Sequence, residues 1–172
     1  MTAIIFPGQG SQYVNMSMDF NENFVVARKV FQEIEDNTHL NIRKIITENP
    51  LDNLNQTNYT QISIFSASMA IYKSLLSEFG NEIIKPTILL GHSLGEYSAL
   101  VAGNYINIAD ASILIKNRGE FMHSSIKPNI SGMAAIIGKN ANFVDDVIKK
   151  NNLKIVIAND NSPMQVVVSG LI

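Results

Sequence analysis

The sequence predicts an α/β protein with a larger helix-covered parallel sheet and a smaller second region of different style. Three observations carry that expectation. The run Thr87-Ile88-Leu89-Leu90 leads into Gly91-His92-Ser93-Leu94-Gly95 and then into the helix-forming Glu96-Tyr97-Ser98-Ala99-Leu100-Val101-Ala102, which reads as strand, tight turn, helix. A second short apolar run at residues 3–6 ends in the glycine-bearing loop Pro7-Gly8-Gln9-Gly10-Ser11-Gln12. Beyond residue 131 the long amphipathic periodicity gives way to short apolar runs around one short helical pattern.

Composition narrows the function classes. Of 172 residues, 46% are hydrophobic and 16% charged, and the net charge is −2, as expected of a packed globular chain. No basic block or aromatic-interleaved Lys/Arg patch asks for nucleic acid. There are no cysteines, which excludes a disulfide framework, thiolate metal ligands and a cysteine nucleophile. No metal-ligand cluster stands out. No run approaches the ~18 apolar residues of a membrane span, and the start has neither the basic region nor the apolar length of a signal peptide, so a cytoplasmic location with no membrane partner is expected.

Taken in order, residues 3–6 form a buried strand. The following loop fails as a nucleotide site, because no Gly-Lys-Ser/Thr follows and Tyr13 stands where a dinucleotide fingerprint needs glycine. It remains a loop of backbone N–H groups able to meet an anion or oxyanion. Phe20, Phe24, Ala27, Phe31 and Ile34 recur at helical spacing and predict one amphipathic helix over 17–36. The asparagine-rich stretch 41–58, broken by Pro50, reads as a short helix and a loop. A long helix follows from Thr60, its expected N-cap, through Phe65, Met69, Tyr72 and Leu76 to the stop at Gly80. Asn107 can cap a third long helix over 108–122. The tail then reads as a linker at 124–131, a strand at 133–137, a helix at 142–150, a strand at 153–158, a turn through Asp160-Asn161-Ser162-Pro163 and a strand at 165–169. That β-α-β-β order is four of the six elements of a ferredoxin-like unit.

Two residues stand out chemically. Ser93, centred in G-x-S-x-G, is placed to be displayed on a sharp strand-to-helix turn as a nucleophile; the alternative is a structural turn with an incidental serine. Arg118 shares an i+4 stripe with Asp110, Leu114 and Met122, a face expected to turn inward, where a guanidinium needs an anionic partner. That partner could be a structural one such as Glu96, the head could snorkel to water, or the fork could receive a substrate carboxylate. Only two convincing strands precede residue 128, and the ferredoxin-like unit is incomplete, so the sequence is expected to be the N-terminal portion of a longer polypeptide, divided as 1–127 and 128–172.

At Phe6-Pro7-Gly8-Gln9-Gly10-Ser11-Gln12 and Gly91-His92-Ser93-Leu94-Gly95-Glu96-Tyr97 the chain resembles the malonyl-CoA:acyl carrier protein transacylases of fatty-acid synthesis and the related acyltransferase domains of polyketide synthases. Thr60-Gln61, Arg118-Gly119 and the segment from Asn159 to Gly170 agree in order and spacing. The resemblance implies an α/β-hydrolase-like large subdomain with an inserted ferredoxin-like small one. It also implies that Ser93 carries the acyl group as an ester between coenzyme A and the pantetheine thiol of acyl carrier protein. The backbone N–H groups of Gln9 and Leu94 would form an oxyanion hole, and Arg118 would bind the malonyl carboxylate. His92, Gln61 and Asn159 would line the cavity. No cofactor is implied beyond the coenzyme A thioester, which is substrate. The family's general-base histidine would lie beyond Ile172; His92, His39 and His123 are not convincing substitutes, so the chain alone is expected to lack turnover. The rivals are a serine hydrolase or thioesterase using the same turn, and a non-catalytic half that binds acyl carrier protein or a complementing C-terminal half.

Overall fold

The computed structural model describes residues 2–125 and 130–172. Its packing divides the chain into two compact units, one ending at His123 and one beginning at Ser124. The boundary expected between 127 and 128, with the proline of the linker, lies outside the described residues.

In the first unit, β1 (Ala3–Phe6) and β2 (Ile88–Gly91) pair in parallel, with Ala3 opposite Ile88 and Phe6 opposite Gly91. Helices α1 (Met18–Asn23), α2 (Val25–Thr38) and α3 (Ile42–Glu48) precede a tight segment, Pro50–Asn55, and the long helix α4 (Thr57–Phe79). After β2 come α5 (Gly95–Ala102) and α6 (Ile108–Ser124). A parallel pair needs a long crossover, and α1 to α4 supply it. Helix α4 is the centre of the core: every residue from Thr60 to Ala70 is buried. A helix surrounded on all sides is apolar or small all round, which is why its serines sit among Ile62, Phe65 and Met69. Burial holds the Tyr72 phenol above its ordinary value, and its hydroxyl donates to the Ala102 carbonyl at 3.4 Å.

The single helix expected over 17–36 is two helices, broken at Phe24, whose backbone is extended at φ −119° and ψ 124°. The aromatic spacing survives the break because the Phe20 and Phe24 rings stack at 5.7 Å. The carbonyls released at the end of α1 are satisfied by Arg28, whose Nη1 donates to Asn21 and Glu22 at 3.0 and 2.9 Å. A helix end needs such partners. Thr60 is likewise not an N-cap, since α4 begins at Thr57. The buried Thr60 hydroxyl instead donates to the Leu54 carbonyl at 2.7 Å and the Gln56 carbonyl at 2.9 Å, tying the tight segment to the helix. Thr60→Val keeps the shape and removes the donor, and is expected to lower stability by about 1–2 kcal/mol in urea denaturation.

The second unit holds β3 (Ser131–Ile137), α7 (Ala141–Lys150), β4 (Ile155–Ser162) and β5 (Gln165–Leu171). Strand β5 lies between β3 and β4 and runs antiparallel to both. This is a split β-α-β arrangement, with Val144, Val166 and Val168 buried between helix and sheet. Asn140 caps α7 by accepting from Phe143 N–H at 2.9 Å. The turn expected at 160–163 is instead the end of β4, and the chain reverses at Pro163-Met164. Residues 158–164 are exposed on an edge, and register shifts after Ile157 and Asp160 absorb the turn-forming residues as bulges.

Among the described residues, no helix is long and apolar enough to cross a membrane. An apolar cavity of about 270 Å³ runs beside β1, with Ile5, Tyr13, Ile64, Ile71 and Leu75 in its walls. It does not include Ser93.

Candidate active site

The turn after β2 is built by close approach. A Cβ on Gly91 would lie 1.9 Å from the Gly95 carbonyl carbon, and one on Gly95 would lie 2.2 Å from the Phe6 carbonyl oxygen. Only glycine permits either approach. Between them Ser93 adopts a left-handed φ of 52°, a conformation costing roughly 1–2 kcal/mol for a residue with a side chain. Its side chain is thereby exposed at the mouth of the turn while Leu94 beneath it is buried. The turn is closed by the His92 carbonyl accepting from Gly95 N–H at 2.9 Å, and anchored to β1 by His92 N–H donating to Phe6 at 3.2 Å.

The loop after β1 packs on this turn. A Cβ on Gly8 would lie 2.6 Å from the His92 carbonyl oxygen and 2.8 Å from its Nδ1, so the His92 imidazole lies against the loop. Gln9, the next residue, is exposed and fixed through its side chain, whose Nε2 donates to Thr57 Oγ1 at 3.2 Å. Gln12 Nε2 donates to Asn55 at 3.1 Å. The start of α4 and the tight segment before it therefore hold the loop in place beside the serine turn.

Arg118 reaches the same place from α6. Asn107 starts that helix, accepting from Asp110 N–H at 2.7 Å. Its inward face is Ile108, Ala111, Ser112, Ile115 and Gly119, not the stripe expected from sequence: Asp110 is exposed, and Leu114 and Met122 are 49% and 47% exposed. The small residues Ala111, Ser112 and Gly119 carry the packing face, and apolar spacing cannot register them. A Cβ on Gly119 would lie 3.0 Å from Asn58 Cα, so α6 approaches the start of α4 closely. Arg118, on the flank of that contact, is half-buried. Its Nη2 donates to Ser93 Oγ at 2.9 Å, its Nη1 donates to Gln61 Oε1, and its guanidinium carbon lies 5.8 Å from the centre of the Tyr97 ring. Among the described residues no carboxylate pairs with it, so Glu96 is not its partner. Tyr97, on α5, closes the Gly91-to-Tyr97 motif, and no spacing signal in the sequence assigns it a role.

Ser93, Leu94, His92, Gln61 and Arg118 are thus brought together, with Gln9 in the adjoining loop. Asn159 lies in the second unit, exposed on β4 opposite Val167. His39 caps α2 and His123 lies in the last turn of α6; neither hydrogen-bonds to Ser93. The described residues contain no cluster of three metal-ligating side chains.

A parallel strand, a serine held in the left-handed region and a following helix, with the loop after the neighbouring strand packed on the turn, make this an α/β protein with a displayed serine. The chain belongs to the acyl transferase domain family, which matches residues 3–171. It is 36% identical over 172 residues to a malonyl CoA-acyl carrier protein transacylase of Bacillus subtilis, covering 98% of this chain and 53% of that protein. A crystal structure of an acyl-carrier-protein S-malonyltransferase from Bartonella henselae superposes with a TM-score of 0.90 at 36% identity, covering 99% of this chain and 55% of that one. A malonyl-transacylase solved in complex with a type II polyketide-synthase acyl carrier protein superposes with a TM-score of 0.89 at 34% identity, again over 99% and 55%. The chain spans about half the length of the relatives it matches.

Proposed function

We propose that this chain carries the acyl-accepting serine and the acid-selecting arginine of a malonyl-CoA:acyl carrier protein transacylase acting in the cytoplasm. The observation that carries the reading is the Arg118 guanidinium, hydrogen-bonded to Ser93 at 2.9 Å and without a carboxylate partner among the described residues. In this reading Ser93 Oγ attacks the thioester carbonyl of malonyl-CoA. The N–H groups of Gln9 and Leu94 receive the tetrahedral oxyanion, such donors being worth about a hundred- to a thousandfold in rate each. Coenzyme A leaves as the thiol, and the malonyl ester remains on Ser93. The pantetheine thiol of acyl carrier protein then attacks the ester and regenerates the hydroxyl. Arg118 exchanges its bond to Ser93 for the terminal carboxylate of malonyl, with His92 and Gln61 lining the site. No cofactor is needed.

The proton of Ser93 requires a base. Among the described residues the hydroxyl's hydrogen-bond partner is a guanidinium, which does not accept protons; the resemblance to the transacylases implies that the base is a histidine following the small subdomain. The chain alone is then expected to acylate slowly and to show no steady transfer to acyl carrier protein; normal turnover by the isolated chain would refute that assignment.

Intact-protein mass spectrometry after incubation with malonyl-CoA tests the whole reading. A malonyl adduct is expected on the wild type and not on Ser93→Ala. Arg118→Ala is expected to lower the preference for malonyl-CoA over acetyl-CoA by roughly tenfold to a hundredfold, the worth of a hydrogen bond to a charged group. A hydrolase of neutral esters has no use for a guanidinium at this serine, and its adduct would be indifferent to Arg118→Ala.

A further inference from the structure

Three contacts form a chain that leads from Met122 to the serine: Met122 Sδ lies 3.1 Å from Gln61 Nε2, Gln61 Oε1 accepts from Arg118 Nη1, and Arg118 Nη2 donates to Ser93 Oγ. Gln61 has no exposed surface. Its amide presents an acceptor on one side and a donor on the other, and which side meets Arg118 depends on its partners. With the oxygen toward the guanidinium, the contact is an acceptor on a cation. With the amide turned over, two donors would face each other and the guanidinium would be displaced. A thioether sulfur accepts hydrogen bonds and donates none, so a sulfur on the far side admits the first orientation and opposes the second.

We propose that Met122 is a positioning residue: its sulfur accepts from Gln61 Nε2, fixes the amide with Oε1 toward Arg118, and so holds the guanidinium beside Ser93. The lock is a property of the unliganded protein. Its consequence, a preference for acyl groups ending in a carboxylate, rests on the function proposed above. The position explains why Met122, about half exposed near the end of α6, acts through Gln61 rather than through core packing.

The test separates the lock from its consequence. Nitrogen-15 spectra of the Arg118 guanidinium in the free protein report rotation of the group without any substrate. Wild type should show restricted rotation, with resolved Nη resonances. Met122→Leu, which keeps the bulk and loses the acceptor, should show averaged ones. Met122→Gln, which restores an acceptor of similar reach, should return them to the resolved pattern, with circular dichroism unchanged throughout. A guanidinium as mobile in the wild type as in Met122→Leu, or unaffected by either change, overturns the proposal. Calorimetry with malonyl-CoA and acetyl-CoA then reads the consequence. The malonyl preference should fall about threefold to tenfold in Met122→Leu and recover in Met122→Gln. Restricted rotation with no malonyl preference in any of the proteins would leave the lock standing and refute the carboxylate-binding role of Arg118.

Discussion

Ser93→Gly is expected to yield a protein that takes no acyl group and is more stable than its parent. The φ of 52° at Ser93 costs a residue with a Cβ roughly 1–2 kcal/mol, and glycine adopts it freely. Glycine also adds about 0.5–1 kcal/mol of freedom to the unfolded chain, so the net gain should be of order 0.5–1 kcal/mol. Ser93→Ala keeps the strain and loses only the hydroxyl, and should sit near the parent in denaturant. Both variants lose the nucleophile and should take no acyl group. Urea titration of the three proteins beside intact-mass acylation checks the pair of effects. An acyl adduct surviving on Ser93→Gly would place the nucleophile elsewhere. A Ser93→Gly chain no more stable than Ser93→Ala would show that the turn is not strained at that residue.

How far the sequence revealed this site depends on whether the signal was local. The serine turn was legible because its requirements are local: two glycines bracket a serine between an apolar strand and a helix, and each glycine answers to a backbone contact. Both strands of the parallel pair were placed to within a residue for the same reason. Arg118 stands out in the sequence, but its apolar neighbours do not mark the inward face: Leu114 and Met122 are about half exposed, and Ala111, Ser112 and Gly119 complete the packing face between Ile108 and Ile115. A small residue at a close contact leaves no hydropathy signal. The break at Phe24 was hidden because stacked aromatic rings keep the helical spacing across it. The bulged end of β4 was hidden because Asp160-Asn161-Ser162 has turn chemistry that an exposed edge strand tolerates. The pairing of Gln61 with Arg118 and Met122 joins residues 57 and 61 positions apart, and no spacing rule on one helix can show it.

The other large effect is expected at Gly95. Its alanine variant would bring a Cβ to 2.2 Å from the Phe6 carbonyl oxygen, with the Pro7 carbonyl oxygen at 2.9 Å. Both obstacles are backbone, so no side chain can swing aside. Relief requires β1 or α5 to move, and Phe6, 4% exposed in the core, moves with its strand. A core rearrangement of that kind falls among the changes that cost about 4 kcal/mol or more. Gly10 is the internal comparison: its φ of 107° strains any substitution, but a Cβ there meets nothing within 4 Å, so Gly10→Ala should cost only about 1–3 kcal/mol. The contrast separates conformational strain from collision. Urea denaturation should rank Gly95→Ala far below Gly10→Ala, and the Ser93 turn should lose its acylation only in the former. If Gly95→Ala unfolded within about 1 kcal/mol of the parent, the helix carrying the serine turn could not be packed against the end of β1 as closely as the fold requires, and the oxyanion role of the Gln9 loop beside it would fall with that contact.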